Sequence, residues 1–214
     1  MGFYVDMFDI YLPIIALAPA AAYFQATDAS AGTAALIAAM IFAAALLGRP
    51  VGAVIFGHLG DKIGRRRTAI TAVTGFGTVT LAIAALPGYE SFGLAAVWLL
   101  IALRFIDGIF LGGEYTAASP LALEYSPKHK RGLYGAFIMT GYPLAYCSIA
   151  LITFGLLQVV PAGGLHSPYV QWGWRIPFVF GALLAFGFVA WYALFVKESV
   201  AWEDAPKTWA TRTT

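Results

Sequence analysis

The stretch Gly57-His58-Leu59-Gly60-Asp61-Lys62-Ile63-Gly64-Arg65-Arg66-Arg67 holds four of the chain's 13 basic residues and separates two long apolar blocks. The block before it contains Ala34-Ala35-Leu36-Ile37-Ala38-Ala39-Met40-Ile41-Phe42, with no charge to break it. Similar blocks recur along the chain, and windows of about 19 residues resolve six of them, each near the roughly 20 residues that cross a bilayer. They are expected at 3–25, 34–56, 69–87, 94–117, 133–158 and 174–196. The breaks between them are short and carry Gly, Pro or charged residues. None of the blocks alternates apolar with polar residues, which a barrel strand requires, so each is read as a helix that satisfies its own backbone.

Composition bounds the class. Of the 214 residues 60% are hydrophobic and 11% charged, against about a quarter charged in soluble domains. Mean hydropathy is +0.77. A net charge of +2 gives no basis for nucleic-acid binding, and the single Cys147 has no partner for an internal disulfide. The first block carries Asp6 and Asp9 and no basic lead, so it does not read as a cleavable signal. The chain is expected to begin in or just before a helix, with a cytoplasmic tail missing ahead of it.

The basic residues fall on one side. Lys62, Arg65, Arg66 and Arg67 lie in the second loop, Lys128, Lys130 and Arg131 in the fourth, and Lys197, Lys207 and Arg212 in the C-terminal tail. These are ten of the 13, and the first, third and fifth loops have none. By the asymmetry both ends of the chain are expected in the cytoplasm, and the membrane is expected to be the plasma or inner membrane.

The opening stretch matches G-x-x-x-D-[RK]-x-G-[RK]-[RK], and it resembles the loop between the second and third helices of major facilitator transporters. Gly57 and Gly64 are expected to permit a tight turn, and Asp61 to sit near a helix N-terminus and pair with basic groups. With Lys62, Arg65 and Arg66 these residues are expected to form a cytoplasmic gating loop. Arg49-Pro50-Val51-Gly52, Gly112-Gly113-Glu114-Tyr115 and Trp172-Gly173-Trp174-Arg175-Ile176-Pro177-Phe178 resemble the metabolite:proton symporters of that superfamily. Gly2-Phe3-Tyr4-Val5-Asp6-Met7-Phe8-Asp9 is similar to the first-helix motif of phosphate:proton symporters, and aromatic acid:proton symporters also carry paired aspartates there.

The resemblance implies an all-α fold. Residues 1–198 would be six transmembrane helices in two inverted three-helix repeats, one half of a twelve-helix transporter, and 199–214 the start of a cytoplasmic linker. It implies proton-coupled symport of a small organic anion or related metabolite by alternating access, with a phosphate:proton symporter or a non-transporting facilitator-like sensor as alternatives. Partners would be the solute, protons, the bilayer, and a missing C-terminal six-helix half or a second copy of the chain. No cofactor and no metal is implied.

Ionisable residues within spans cost about 2.5–3.5 kcal/mol each at the bilayer centre, so each points to function or pairing. Asp6 and Asp9, three apart, share one helix face, and so do Asp107 and Glu114, seven apart. Arg104 lies about 60° from Asp107 around the same helix. A carboxyl group in low dielectric exchanges protons near neutral pH, and a neighbouring arginine tunes that exchange. Asp6, Asp9, Asp107 and Glu114 are therefore proton-coupling candidates. Arg104, Arg49 and Tyr115 are substrate or anion candidates, with pairing of Arg49 to Asp61 or the capping of a helix as the alternative. A membrane enzyme is disfavoured because His58, His129 and His166 are placed in loops on opposite faces, and no nucleophile stands with a base at one depth.

Overall fold

Backbone polar groups in a bilayer must be satisfied within each span, and the computed structural model meets that demand with helices alone among the described residues. It describes residues 2–26, 30–124, 126–196 and 198, without the side chains of 115–124. The helices are α1 (Gly2–Tyr11), α2 (Ala31–Ile63), α3 (Arg65–Ala84), the single turn α4 (Tyr89–Phe92), α5 (Leu94–Glu124), α6 (Arg131–Met139), α7 (Gly141–Val159) and α8 (Arg175–Phe195). Five segments are long and apolar enough to cross a membrane, and a bent pair that begins with α1 makes a sixth. Leu47, Val54, Leu151, Phe154 and Leu194 face outward from the bundle, as side chains of a membrane protein do at little cost.

The first span is not the single helix expected over 3–25. Pro13 and Pro19 lack the N–H that would return to the carbonyls of Asp9 and Ile15. The backbone passes into a π turn over Leu12–Ala16, bends by 70°, and continues as a 3₁₀ segment over Ala18–Phe24. The Ala16 carbonyl beside the bend accepts a hydrogen bond from the buried Tyr169 hydroxyl at 2.7 Å. Between this bent second half of the span and α2 lies an apolar groove of about 610 Å³, lined by Pro13, Leu17, Phe24, Ile41 and Phe42 among others.

The bent segment is tied down at its far end by Arg175. Its guanidinium donates to the Ala84 carbonyl at 2.8 Å, the Tyr23 hydroxyl at 2.7 Å and the Leu86 carbonyl at 2.9 Å, and it also bonds the Gln171 carbonyl. It lies 4.8 Å from the Tyr23 ring centre and 4.6 Å from that of Trp174. One planar cation thus joins the ends of the first, third and sixth spans.

The packing that sets the bundle's geometry is the crossing of α2 and α5. A Cβ added to Gly48, Gly52, Gly108 or Gly112 would strike the opposing backbone at Phe105, Ile109, Ala45 or Arg49 respectively. Each helix therefore presents two glycines four residues apart, and the main chains touch. The Gly-x-x-x-Gly spacing at 48–52 and 108–112 is the sequence signal for this crossing.

The loop at 57–67 is shorter than expected. Gly57 and His58 lie inside α2, which runs on to Ile63, and Asp61 is in its last turn instead of at a helix N-terminus. Gly64 alone makes the turn, with φ 101°, a conformation in which a side chain would be strained. The N-terminus of α3 is served from a distance: Glu198 accepts the Arg66 N–H at 2.9 Å, and the Arg66 side chain bonds the Ala193 carbonyl at the end of α8. Residues 199–214, and with them Lys207 and Arg212, lie outside the described residues, as do Lys197 and the Tyr115 side chain.

Candidate functional site

The tight α2–α5 crossing carries an arginine on each helix toward α1. Arg49 lies between the two α2 glycines, and Arg104 stands one turn before the first α5 glycine. On α1, Asp6 and Asp9 are three residues apart and so rise about 4.5 Å along the axis. The result is two ion-pair clusters stacked along the first helix.

In one cluster, Arg104 Nη1 donates to Asp107 Oδ2 at 2.8 Å and to Asp9 Oδ2 at 3.2 Å. A single nitrogen is thus shared between carboxylates from two helices. The other Asp9 oxygen accepts the Thr80 hydroxyl of α3 at 2.5 Å, and that hydroxyl also lies 2.9 Å from the Phe76 carbonyl. All four residues are at most 3% exposed. Asp107 Oδ1 and Arg104 Nε have no hydrogen-bond partner among the described residues. The cluster sits near the middle of α5, about thirteen residues or 20 Å from its start at Leu94. Thr80 goes unmarked in the sequence because a threonine in an apolar span carries no charge.

In the other cluster, Arg49 Nη2 donates to Asp6 Oδ1 at 2.7 Å. The Arg49 side chain is 25% exposed, whereas that of Asp6 is fully buried. This partner is Asp6, not the Asp61 offered as an alternative: Asp61 lies three turns further along α2, beyond the reach of the side chain. Glu114 is 1% exposed, and neither of its oxygens has a hydrogen-bond partner among the described residues. It lies against the start of α1, where a Cβ on Gly2 would collide with Glu114 Oε1.

The four carboxyls and two arginines singled out within the spans therefore converge on one buried strip between α1, α2 and α5. The gating-loop residues stand apart from it at the end of α2 and the start of α3. On the outer flank of the strip, Tyr11 meets Tyr142 and Tyr146 of α7 edge-on, with ring centres 5.5 and 5.2 Å apart.

Comparison with known proteins bears on what such a bundle is. Residues 9–206 match the model of the family described as sugar (and other) transporter. The chain is 37% identical over 186 residues to the inner membrane metabolite transport protein YhjE of Escherichia coli (strain K12), covering 86% of this chain and 41% of that protein. It is 35% identical over 205 residues to the shikimate transporter of the same organism, covering 95% and 45%. Among solved structures, the inward-open xylose transporter XylE from E. coli superposes with a TM-score of 0.76 at 21% identity, over 94% of this chain and 47% of that one. The chain thus spans less than half the length of these relatives and takes the fold of one half of a major facilitator transporter. These relatives are transporters and not enzymes, and this multi-pass chain belongs to the sugar (and other) transporter family.

Proposed function

We propose that this chain forms one half of a secondary active transporter that carries a small organic anion or related metabolite together with protons. The observation that carries the reading is Arg104 held between Asp9 and Asp107 at mid-span. One guanidinium balances one carboxylate. The second carboxyl is tolerated in so dry a place when it holds a proton, because an uncompensated buried charge costs several kcal/mol. Movement of α1 against α5 changes the distance from Asp9 to Arg104 and with it the cost of the charged form. Protons are then bound on one side of the membrane and released on the other.

The same geometry couples the proton to a solute. A protonated acid releases part of the arginine's hydrogen-bonding capacity, and a carboxylate or phosphate on the solute takes it up in bidentate fashion. Tyr115, further along α5, is a further candidate contact. In this reading the Gly64 turn, with Arg66 tied to the end of α8, holds the cytoplasmic side of one conformation. Both ends of the chain face the cytoplasm, the membrane is the inner or plasma membrane, and a second six-helix half completes the site.

The test is uptake by proteoliposomes that hold the chain together with a second half, screened against mono- and dicarboxylates, phosphate and betaines. An imposed pH gradient, acid outside, should drive accumulation of one class. Asp9→Asn should abolish that accumulation while solute exchange at equal pH continues. Gradient-driven uptake that survives in Asp9→Asn removes Asp9 from the mechanism.

A further inference from the structure

We infer that Asp6, Arg49 and Glu114 form a second proton-binding site, separate from the Arg104 cluster, so that the loaded transporter holds two protons. The inference rests on the proton-coupled reading above and extends it from one site to two. The first ground is charge. Asp6 and Glu114 are both buried, and among the described residues Arg49 is the one cation bonded to either. Two carboxyls with one guanidinium leave one carboxyl in excess of the side-chain cations, as at the Arg104 cluster.

The second ground is unused bonding capacity. Glu114 has both oxygens without a partner among the described residues, and Asp6 has Oδ2 without one. An ionised carboxylate is an obligate acceptor, and burying its oxygens with no donor is the arrangement least compatible with charge. Two carboxyls that share a proton, or one that holds it outright, remove that cost. The charged groups that act on Glu114 are Asp6 from α1, the amino terminus of the chain and Arg49 from α2, while Phe188 of α8 closes the side nearest Gly2 with an apolar ring. Those acting on Asp6 are Arg49 and, one turn along α1, Asp9.

The third ground is access. The Arg49 side chain is a quarter exposed, whereas that of Arg104 is 1% exposed. The Asp6 site therefore touches the outside of this half and the Asp9 site does not. Because Asp6 and Asp9 are adjacent on one helix face, charging one makes charging the other more costly. A proton that leaves the inner site is thereby helped by one arriving at the outer site, which makes the pair a relay as well as a store.

The test reads protons without needing to know the solute: infrared absorption of protonated carboxyl groups in the full chain reconstituted in lipid at neutral pH. Two protonated carboxyls per chain are expected. Glu114→Gln should remove one and leave the other, Asp107→Asn should remove the other, and Glu114→Asp should retain both. Arg49→Gln, which deprives the pair of its cation, should add a protonated carboxyl, a change of opposite sign that misfolding does not imitate. A single protonated carboxyl in the unmodified chain, or a count unaltered by both Glu114→Gln and Arg49→Gln, overturns the second site. The transport reading fails separately, through solute uptake that ignores an imposed pH gradient.

Discussion

Replacing Gly48 by alanine tests the link between helix packing and the charged strip. A Cβ built there sits 2.9 Å from Ile109 N and 3.0 Å from Gly108 C, and closer still to the Phe105 carbonyl oxygen. Non-bonded heavy atoms settle near 3.5–4.0 Å, so α2 and α5 must part locally by roughly half to one ångström. Each helix also sends an arginine to α1, at 2.7 Å for Arg49–Asp6 and 3.2 Å for Arg104–Asp9. Hydrogen bonds fade beyond about 3.5 Å, so a displacement of that size leaves at least one pair too long. Overpacking costs about 1–3 kcal/mol, and a stranded buried charge adds to it. The assay is thermal unfolding in detergent by circular dichroism, run beside Gly155→Ala and Gly187→Ala, where a Cβ meets nothing within 4 Å. Those two helical sites should be neutral or gain up to about 1 kcal/mol from the better helix former. If Gly48→Ala melts with Gly155→Ala, the backbone contact does not govern the crossing and does not set the spacing of the ion pairs.

Thr80→Val should cost about 1.5–3 kcal/mol, the worth of a hydrogen bond to a charged group, and weaken gradient-driven uptake, while Thr80→Ser restores both; melting and uptake measured together check it. Arg175→Lys leaves an ammonium unable to span the Ala84, Leu86 and Tyr23 acceptors at once, so melting should fall by several degrees, and a cysteine placed at Ala21 should react faster with thiol reagents. In a Cys147→Ser background, Arg131→Cys should be labelled by an impermeant thiol reagent only after the membrane is opened, and Ser167→Cys without opening it; the reverse pattern overturns the assigned orientation. Asp9→Asn combined with Asp107→Asn should leave Arg104 buried without a counter-charge, destabilising the chain by more than the two single changes together.

The residues that betray themselves in the sequence are those the bilayer penalises. Asp6, Asp9, Asp107 and Glu114 were marked by the cost of a charge in hydrocarbon, and the described structure gathers all four on one strip. Thr80 carries no such mark, and neither do the four glycines at the α2–α5 crossing except by their spacing. Partner choice was also beyond reach: Arg49 finds Asp6, 43 residues away in the chain, instead of a nearer acid on its own helix. The break in the first span was foreshadowed by Pro13 and Pro19, but the size and direction of its bend depend on Arg175 and Tyr169 holding the segment after the bend from other spans.

The stretch from Gly57 to Arg67 shows the same division. Its apolar neighbours and one-sided charges make a membrane turn of it by local physics alone, because hydrocarbon excludes bare backbone and arginine alike. Which of its glycines turns the chain, and that Glu198 replaces Asp61 at the head of α3, depend on where the end of α8 lies in space. Spans are properties of twenty consecutive residues. Ion pairs, caps and crossings are properties of residues brought together by helices far apart in the chain, and tertiary packing alone selects among partners that are equivalent in charge.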